Sequence, residues 1–294
     1  MMCPYCNSSY TKKDGTKTLK SGERVQENYC HNCGKYFTIH SELFADMVVD
    51  IDPGGVLTVE NDKPLKIHGL TDVHVGANEF DFKKFKQAVG KIKRDDNARW
   101  FGNGDLIELI PPHYKISQRG QNIPPDEQYL EFLKLVDCIK DKCLFIRGGN
   151  HDYLRSFNIL DFDVCKVIAK EMNVPYYRMP GYTTITINGQ SWNLVSGHGK
   201  SGAKNGDLEL DKMAAVYSEG DVFFLGHNHQ LYVKPMDSLV IGDDATEELR
   251  RRWYVRGGSF LRYAEYARYS FFPIIRTGWV TMTFREDKVD CAEN

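Results

Sequence analysis

Five times between residues 65 and 230, a short apolar run stops at or near a glycine and hands over to Asp, Asn or His. LKIHGL leads into TDVHVG, ARWFGN into GDLIEL, CLFIRGG into NHDYL, SWNLVS into GHGKSG, and DVFFLG into HNHQ. Runs of this length, rich in aliphatic and aromatic residues, read as strands. In open α/β sheets, sites form outside the carboxyl ends of strands, where loops from several strands meet. The pattern therefore predicts an α/β domain whose five strand ends share one edge and bring their polar residues together there.

The residue types choose the chemistry. Asp72 and His74 stand two apart, so an extended turn presents both to one ion. Asp105 has two carboxylate oxygens and is able to bridge two ions. Asn150 offers a neutral carbonyl oxygen, and His198, His227 and His229 offer imidazoles. Carboxylate, amide and imidazole together favour manganese, iron or zinc over calcium. Each fragment alone has an ordinary reading: DxH as a surface loop, GD as a turn, a lone strand histidine as a satisfied core residue. Five of the nine histidines fall in these motifs, and that concentration argues for one shared ligand field.

The same residues resemble the signature of the calcineurin-like metallophosphoesterase superfamily: DxH, GDxxD, GNHD or GNHE, GH and GHxH. Here they read Asp72-Val73-His74, Gly104-Asp105-Leu106-Ile107-Glu108, Gly149-Asn150-His151-Asp152, Gly197-His198 and Gly226-His227-Asn228-His229. The resemblance covers residues 65–294. It implies a four-layer sandwich, two β-sheets flanked by helices, with the metals at one edge. It implies one ion on Asp72, His74, Asp105 and His229, and a second on Asp105, Asn150, His198 and His227. It further implies in-line hydrolysis of a phosphoester by two metals, with His151 placed to protonate the leaving oxygen or to stabilise charge. One departure stands out. The family usually has Asp where this chain has Glu108, and that carboxylate often orients the histidine corresponding to His151. Glutamate is one methylene longer, so the pairing of Glu108 with His151 is expected to be shifted or replaced.

A second motif precedes this domain. Cys3 and Cys6 form one CxxC pair, and Cys30 and Cys33 form another. Four thiolates make a closed tetrahedral site for a structural zinc. Forty residues are too few for a sufficient core, and zinc would supply the missing folding energy. His31, beside Cys30, is an alternative ligand, and His40 reads as a solvated linker residue. The run CPYC…YCHNCGKYFT resembles the zinc ribbons of transposase-associated and other DNA-binding proteins. Lys12, Lys13, Lys17, Lys20, Arg24 and Lys35 face only Asp14, Glu23 and Glu27, so residues 1–40 are basic within a chain of net charge −2. With Tyr10, Tyr29, Tyr36 and Phe37 interleaved, this surface suits phosphate contact and base stacking. The competing reading is a structural knuckle that docks on the main domain or on a partner.

The organisation expected is a zinc ribbon at 1–40, a linker at 41–64 with room for one strand, and a catalytic domain at 65–294. Helices are expected at 83–94, with Phe82, Phe85, Val89 and Ile92 on one face, and at 127–140 and 160–172, with Cys138 and Cys165 as packing. The Pro-flanked loop 111–128 offers His113, Tyr114, Lys115 and Arg119 as substrate contacts. Between Arg250 and Arg276, seven arginines interleave with aromatic rings against one acid, Glu265. That tract is either a nucleic-acid surface that includes Arg251 and Arg252, or a late strand and a packed loop.

Composition, 41% apolar and 27% charged, is that of a soluble globular chain. No apolar stretch nears the roughly 20 residues of a membrane span, and the first residues lack a secretion-signal pattern. The remaining cysteines are scattered, so the thiols read as metal ligands in a reducing compartment, the cytoplasm. Leu109 and Ile110 follow Glu108 where protein phosphatases of the superfamily carry a phosphate-gripping arginine, which argues against a phosphoprotein substrate. The expected function is a two-metal phosphodiesterase, a nuclease on DNA before RNA, with manganese as the best-suited ion. The alternatives are a hydrolase of nucleotides or other small phosphoesters, its ribbon used for assembly, and a non-catalytic scaffold.

Overall fold

The computed structural model describes residues 3–6, 8–18, 24–38, 57–112, 117–200, 206–241, 246–263, 268–269, 271 and 273–294. The chain divides into two compact units, Met1–Ile51 and Asp52–Asn294.

The first unit is a three-stranded antiparallel sheet in the order β1 (Thr11–Thr18), β2 (Arg24–Cys30), β3 (Tyr36–Thr38). Asp14-Gly15, a turn signal in the sequence, lies inside β1 as a bulge. The register shifts between Lys13 and Thr16, and Gly15 takes φ +93°, a conformation glycine adopts without steric cost. Cys3, Cys30 and Phe37 form the small buried centre. Phe37 is thus core rather than a stacking surface, whereas Tyr10 and Tyr36 are exposed.

Among the described residues, the second unit holds twelve strands. They are β4 (Leu57–Asn61), β5 (Leu65–Leu70), β6 (Ala98–Asn103), β7 (Cys143–Arg147), β8 (Tyr176–Tyr177), β9 (Gly181–Ile187), β10 (Gln190–Gly197), β11 (Val222–Leu225), β12 (Leu231–Ile241), β13 (Glu247–Ser259), β14 (Gly278–Phe284) and β15 (Val289–Glu293). β4 falls inside the stretch read as a linker and pairs in parallel with β9. The strand order is β4-β9-β10-β11-β13-β14-β5-β6-β7-β8, with β12 on β13 and β15 on β14.

Hydrogen bonding is continuous along this order, yet the sheet folds over on itself. Only Gly258↔Trp279 and Ser259↔Gly278 join β13 to β14. Gly258 sits at φ +80°, and a Cβ there would meet the Gly278 carbonyl at 2.5 Å. Beyond this corner the two halves face each other. Phe101 and Phe145 from one half stack at 4.9 Å, and Phe224 from the other meets Phe101 edge-on at 5.1 Å.

Strand periodicity sends alternate side chains outward. Phe223 and Val195 pack against Leu210 and Met213 of the helix Asp207–Val216. On the other outer face, Trp100 and Ile146 pack against the helices Phe82–Arg94, Pro125–Val136 and Val164–Met172 through Phe85, Phe132 and Ile168. The result is a four-layer helix–sheet–sheet–helix sandwich. β6, β7 and β11 are covered on both faces, which is why they read as nearly unbroken apolar runs.

Two expectations need correction. Phe82 is 48% exposed in the first turn of its helix, and Ala88 takes the fourth place on the buried face. The helix expected over 127–140 ends at Val136 and tightens into a 3₁₀ segment, Asp137–Lys142. That change of period swings Cys138 into solvent. Among the described residues, no helix is long and apolar enough to cross a membrane.

Candidate metal centre

The loops after β5, β6, β7, β10 and β11 converge at one edge of the second unit. Backbone bonds stitch them together: Asp72 N–H to Gly104 O, His74 N–H to Asp105 O, and Gly226 N–H to His198 O, each at 3.0 Å. The glycines permit this closeness. A Cβ on Gly149 would fall on the Asp105 carboxylate and backbone, and one on Gly226 would fall on the Thr71 hydroxyl.

Two clusters of ligand atoms result. In the first, His229 Nε2 lies 3.3 Å from Asp72 Oδ1 and 3.3 Å from His74 Nε2. In the second, His198 Nε2 lies 3.3 Å from Asp105 Oδ2 and 3.1 Å from Asn150 Oδ1, and His227 Nδ1 lies 2.7 Å from Asn150 Oδ1. The clusters adjoin, because the His227 N–H points at the Asp72 carboxylate, 3.0 and 3.2 Å from its oxygens. Asp72, His74, Asp105 and His198 are buried, and His229 is partly so.

These atoms fit divalent cations. Donors about 2.1 Å from one ion stand about 3.0 to 3.4 Å apart, depending on whether the geometry is octahedral or tetrahedral. His74 Nδ1 donates to Glu108 Oε2 at 2.8 Å and His198 Nδ1 donates to Asn103 O at 2.8 Å, which turns both Nε2 atoms into the clusters. Burial lowers the His198 pKa, but Asp105 beside it outweighs burial and carries the ring to about 10. A proton there answers the same carboxylate charge that a cation would. Burial likewise raises Asp105, but the surrounding histidines hold it well below the usual carboxylate range.

The backbone is strained at the same places. Asp72, His74, Asp105, His227 and His229 have φ between 50° and 69°, a region that non-glycine residues seldom occupy and that gathers at functional sites.

In the first unit, Cys3 Sγ lies 3.6 Å from Cys33 Sγ, and Cys6 Sγ lies 3.6 Å from Cys30 Sγ. These spacings are far beyond a disulfide bond and close to the ~3.8 Å edge of a tetrahedron with zinc–sulfur arms of about 2.3 Å. An N–H from Asn32 and a backbone bond at Ser8 push the Cys6 thiol down to about 6. His31 stacks on Tyr10 at 4.6 Å and stands outside the four-cysteine cluster.

No protein-family model matches the chain. The DNA polymerase II small subunit of Thermoplasma acidophilum is 27% identical over 120 residues, which span 38% of this chain and only 25% of that protein. Similar solved structures include a predicted phosphoesterase from Streptococcus pneumoniae, with 15% identity, 78% of this chain and 90% of that one covered, and a TM-score of 0.37. Vacuolar protein sorting 29 from Entamoeba histolytica, solved with zinc, has 11% identity, 78% and 98% coverage, and a TM-score of 0.40. A phosphatase from Mycoplasma pneumoniae has 12% identity, 80% and 94% coverage, and a TM-score of 0.40.

The chain resembles the calcineurin-like metallophosphoesterases.

Glu108, where the resemblance leads one to expect Asp, faces two histidines. Its carboxylate reaches past His151 to His74 at 2.8 Å, while His151 Nδ1 lies 3.4 Å away. Burial would raise Glu108, but the bonds from His151 and His74 hold it below the ordinary carboxylate range. His151 instead bonds through Nδ1 to the Glu108 main-chain oxygen at 3.0 Å. Its Nε2 lies 2.7 Å from Arg155 Nη2 and 3.9 Å from Asp105 Oδ2.

Three supporting residues escaped the sequence reading. Asp152, fully buried, accepts from Leu106 N at 2.6 Å and Gly149 N at 2.7 Å, and so ties the Asp105 loop to the Asn150 loop. Asn103 donates to Gly197 O at 2.7 Å. Arg155 closes on His151 from four residues along the chain. Asp152 was legible as the last letter of GNHD; nothing local marked the other two.

Other candidates lie away from the clusters. Arg251 makes a bidentate pair with Asp237 at 2.8 and 2.9 Å. It and Arg252 precede Trp253, the residue level with the start of β11, so they sit roughly 15 Å from the site edge at about 3.3 Å per residue. Within the arginine-rich tract, Arg256 is buried against Gly226 O and Gly206 O, and Tyr254 and Phe260 are core, so this part is packed strand. In the first unit, Lys12 pairs with Asp14 at 3.2 Å and Lys17 with Glu27 at 3.6 Å, while Lys13 is exposed on β1. Arg119 is exposed beside Asn78. Lys20, Glu23, His40, His113, Tyr114 and Lys115 lie outside the described residues.

Proposed function

We propose that the chain is a two-metal phosphodiesterase that cleaves nucleic acid and is brought to it by the four-cysteine unit. The observation that carries this reading is the pair of adjoining clusters, with seven candidate ligand residues from five loops and their N and O atoms turned inward. Asp72, His74 and His229 would hold one ion, and Asp105, Asn150, His198 and His227 the other, with Asp105 as the shared carboxylate that the resemblance implies. When bound, such ions supply Lewis acidity and a nucleophile at neutral pH. Manganese, iron and zinc all suit this donor set.

The chain's own groups do the rest. Glu108 keeps His74 Nε2 aimed at the first cluster. Asn103 does the same for His198 in the second. Asp152 locks two ligand loops together. His151, 16% exposed and beside Asp105, stands next to the clusters, and the Arg155 guanidinium bonded to its Nε2 places a positive charge there to meet a developing oxyanion.

Two observations support nucleic acid as substrate: the basic stretch 1–40 with exposed Tyr5, Tyr10 and Tyr36, and the partial likeness to a DNA polymerase subunit. The intramolecular pairing of Lys12, Lys17 and Arg251 favours the second reading, a small-phosphoester hydrolase whose first unit serves assembly.

The test is manganese-dependent digestion of end-labelled single- and double-stranded DNA and RNA, with Asp105→Asn as control and a chain lacking residues 1–51 in parallel. Cleavage lost in Asp105→Asn, and nucleic-acid affinity lost without residues 1–51, are the expected results. Turnover of bis-p-nitrophenyl phosphate without cleavage of any nucleic acid would transfer the assignment to the second reading.

A further inference from the structure

We infer that Arg155 is a positioning residue that holds His151 in its Nδ1-protonated tautomer, with Nε2 turned toward Asp105. The argument begins with which atoms carry hydrogen. Arg155 Nη2 and His151 Nε2 are 2.7 Å apart. A guanidinium has five N–H donors and no acceptor, so this bond runs from Arg155 to a lone pair on Nε2. The ring proton therefore sits on Nδ1, which faces the Glu108 main-chain oxygen at 3.0 Å and the Glu108 carboxylate at 3.4 Å. Both ring nitrogens are thus engaged, and the ring plane is fixed from two sides.

Arg155 is itself anchored. Its Nη1 donates to Glu108 O at 2.9 Å and lies 3.5 Å from Glu108 Oε1. The side chain is 7% exposed, against 16% for His151, so the guanidinium is the more deeply buried of the two. The local backbone makes this possible. Residues Asn150–Arg155 wind as a wide π-type turn, with Leu154 N–H reaching back to Gly149 O at 3.2 Å. Wide turns of this kind recur at functional sites. Here the turn brings Arg155 round to its own site histidine. The Glu108 carboxylate lies 2.8 Å from His74 and 3.4 Å from His151, and Arg155 adds a cationic contact on the opposite ring nitrogen of His151. The tautomer follows from these contacts alone; its consequence for turnover rests on the phosphodiesterase reading.

The experiment uses the full chain loaded with zinc, which is diamagnetic. Long-range proton–nitrogen spectra of the histidine rings report each tautomer, and His151→Gln assigns the signal. Wild type should show the Nδ1–H pattern, and Arg155→Met, which keeps bulk and removes the donor, should lose it. Arg155→Lys, which restores a cationic donor, should recover it. On bis-p-nitrophenyl phosphate, Arg155→Met should lower kcat by about ten- to a hundredfold, the usual cost of losing such a supporting bond, with KM changed by less than about twofold. An Nε2–H pattern in wild type overturns the inference without recourse to any variant. So does an unchanged Nδ1–H pattern in Arg155→Met. A wild-type chain that hydrolyses no phosphoester, yet changes tautomer on Arg155→Met, upholds the positioning role and removes the proposed reaction instead.

Discussion

Restoring the residue that metallophosphoesterases usually carry at position 108 should weaken this site. Aspartate is one methylene shorter than glutamate, so Glu108→Asp withdraws the carboxylate by about 1.3 Å. The His74 Nδ1···Glu108 Oε2 bond of 2.8 Å would then open to about 4 Å, past hydrogen-bonding range. A hydrogen bond to a charged group contributes about 1.5–3 kcal/mol, which at about 1.4 kcal/mol per decade corresponds to roughly ten- to a hundredfold in the affinity of the ion that His74 would hold. Calorimetric titration of the metal-free protein with manganese measures this directly. Two binding events are expected, and Glu108→Asp should weaken one while sparing the other. Glu108→Gln, which keeps the length and loses the charge, should fall between the two. Equal or tighter manganese binding by Glu108→Asp would refute the reasoning, since it would mean that the longer side chain is not what orients His74.

Other perturbations have equally defined outcomes. Gly226→Ala places a methyl group against Thr71 Oγ1 and 2.6 Å from Asp72 Oδ2; it should cost about 1–3 kcal/mol of stability and lower metal content at the first cluster, read by thermal melting and elemental analysis. Cys30→Ser should release one zinc per chain to a chromophoric chelator while turnover of a small phosphoester persists, because the four thiols belong to a separate compact unit. His68 is wholly buried on β5, accepts from Thr281 Oγ1 at 2.9 Å and Trp279 Nε1 at 3.2 Å, and is pushed down to about 4 by burial. The unfolded chain protonates this ring first, so its contribution is complete above the unfolded value of about 6.5 and is lost as pH falls toward 4, up to about 3 kcal/mol in all. Denaturant melts of metal-free protein between pH 7 and pH 4.5 should show this loss, and His68→Gln should show less of it; an identical slope in the variant would exclude His68 as its source.

Much of the site was legible because metal chemistry restricts residue type and strand ends restrict place. Asp72, His74, Asp105, Asn150, His198, His227 and His229 could be named from five local patterns, since each motif carries its own glycine and its own ligand within a few residues. The same holds for Cys3, Cys6, Cys30 and Cys33, whose spacing is a local property of two turns. The α/β class followed from the same runs, whereas the four-layer sandwich was what the resemblance implied. Signals that depended on composition alone fared worse. The arginines near β13 read equally as a surface or as a packed strand, and only the structure chose: Arg256 is interior and Arg251 is neutralised across the hairpin by Asp237. Residue counting cannot see a cross-strand partner fourteen positions away.

What the sequence determined by itself is the inventory and its grouping: a four-thiol unit, and an α/β domain that ends five strands in Asp, Asn and His. What only the tertiary structure decided is which ligand faces which, and what stands behind each one. The Glu108 carboxylate reaches His74 at 2.8 Å and lies 3.4 Å from His151, and a wide turn brings Arg155 against the other nitrogen of the His151 ring. Those outcomes depend on side-chain reach at the ångström scale across loops far apart in the chain, and no local pattern encodes such distances.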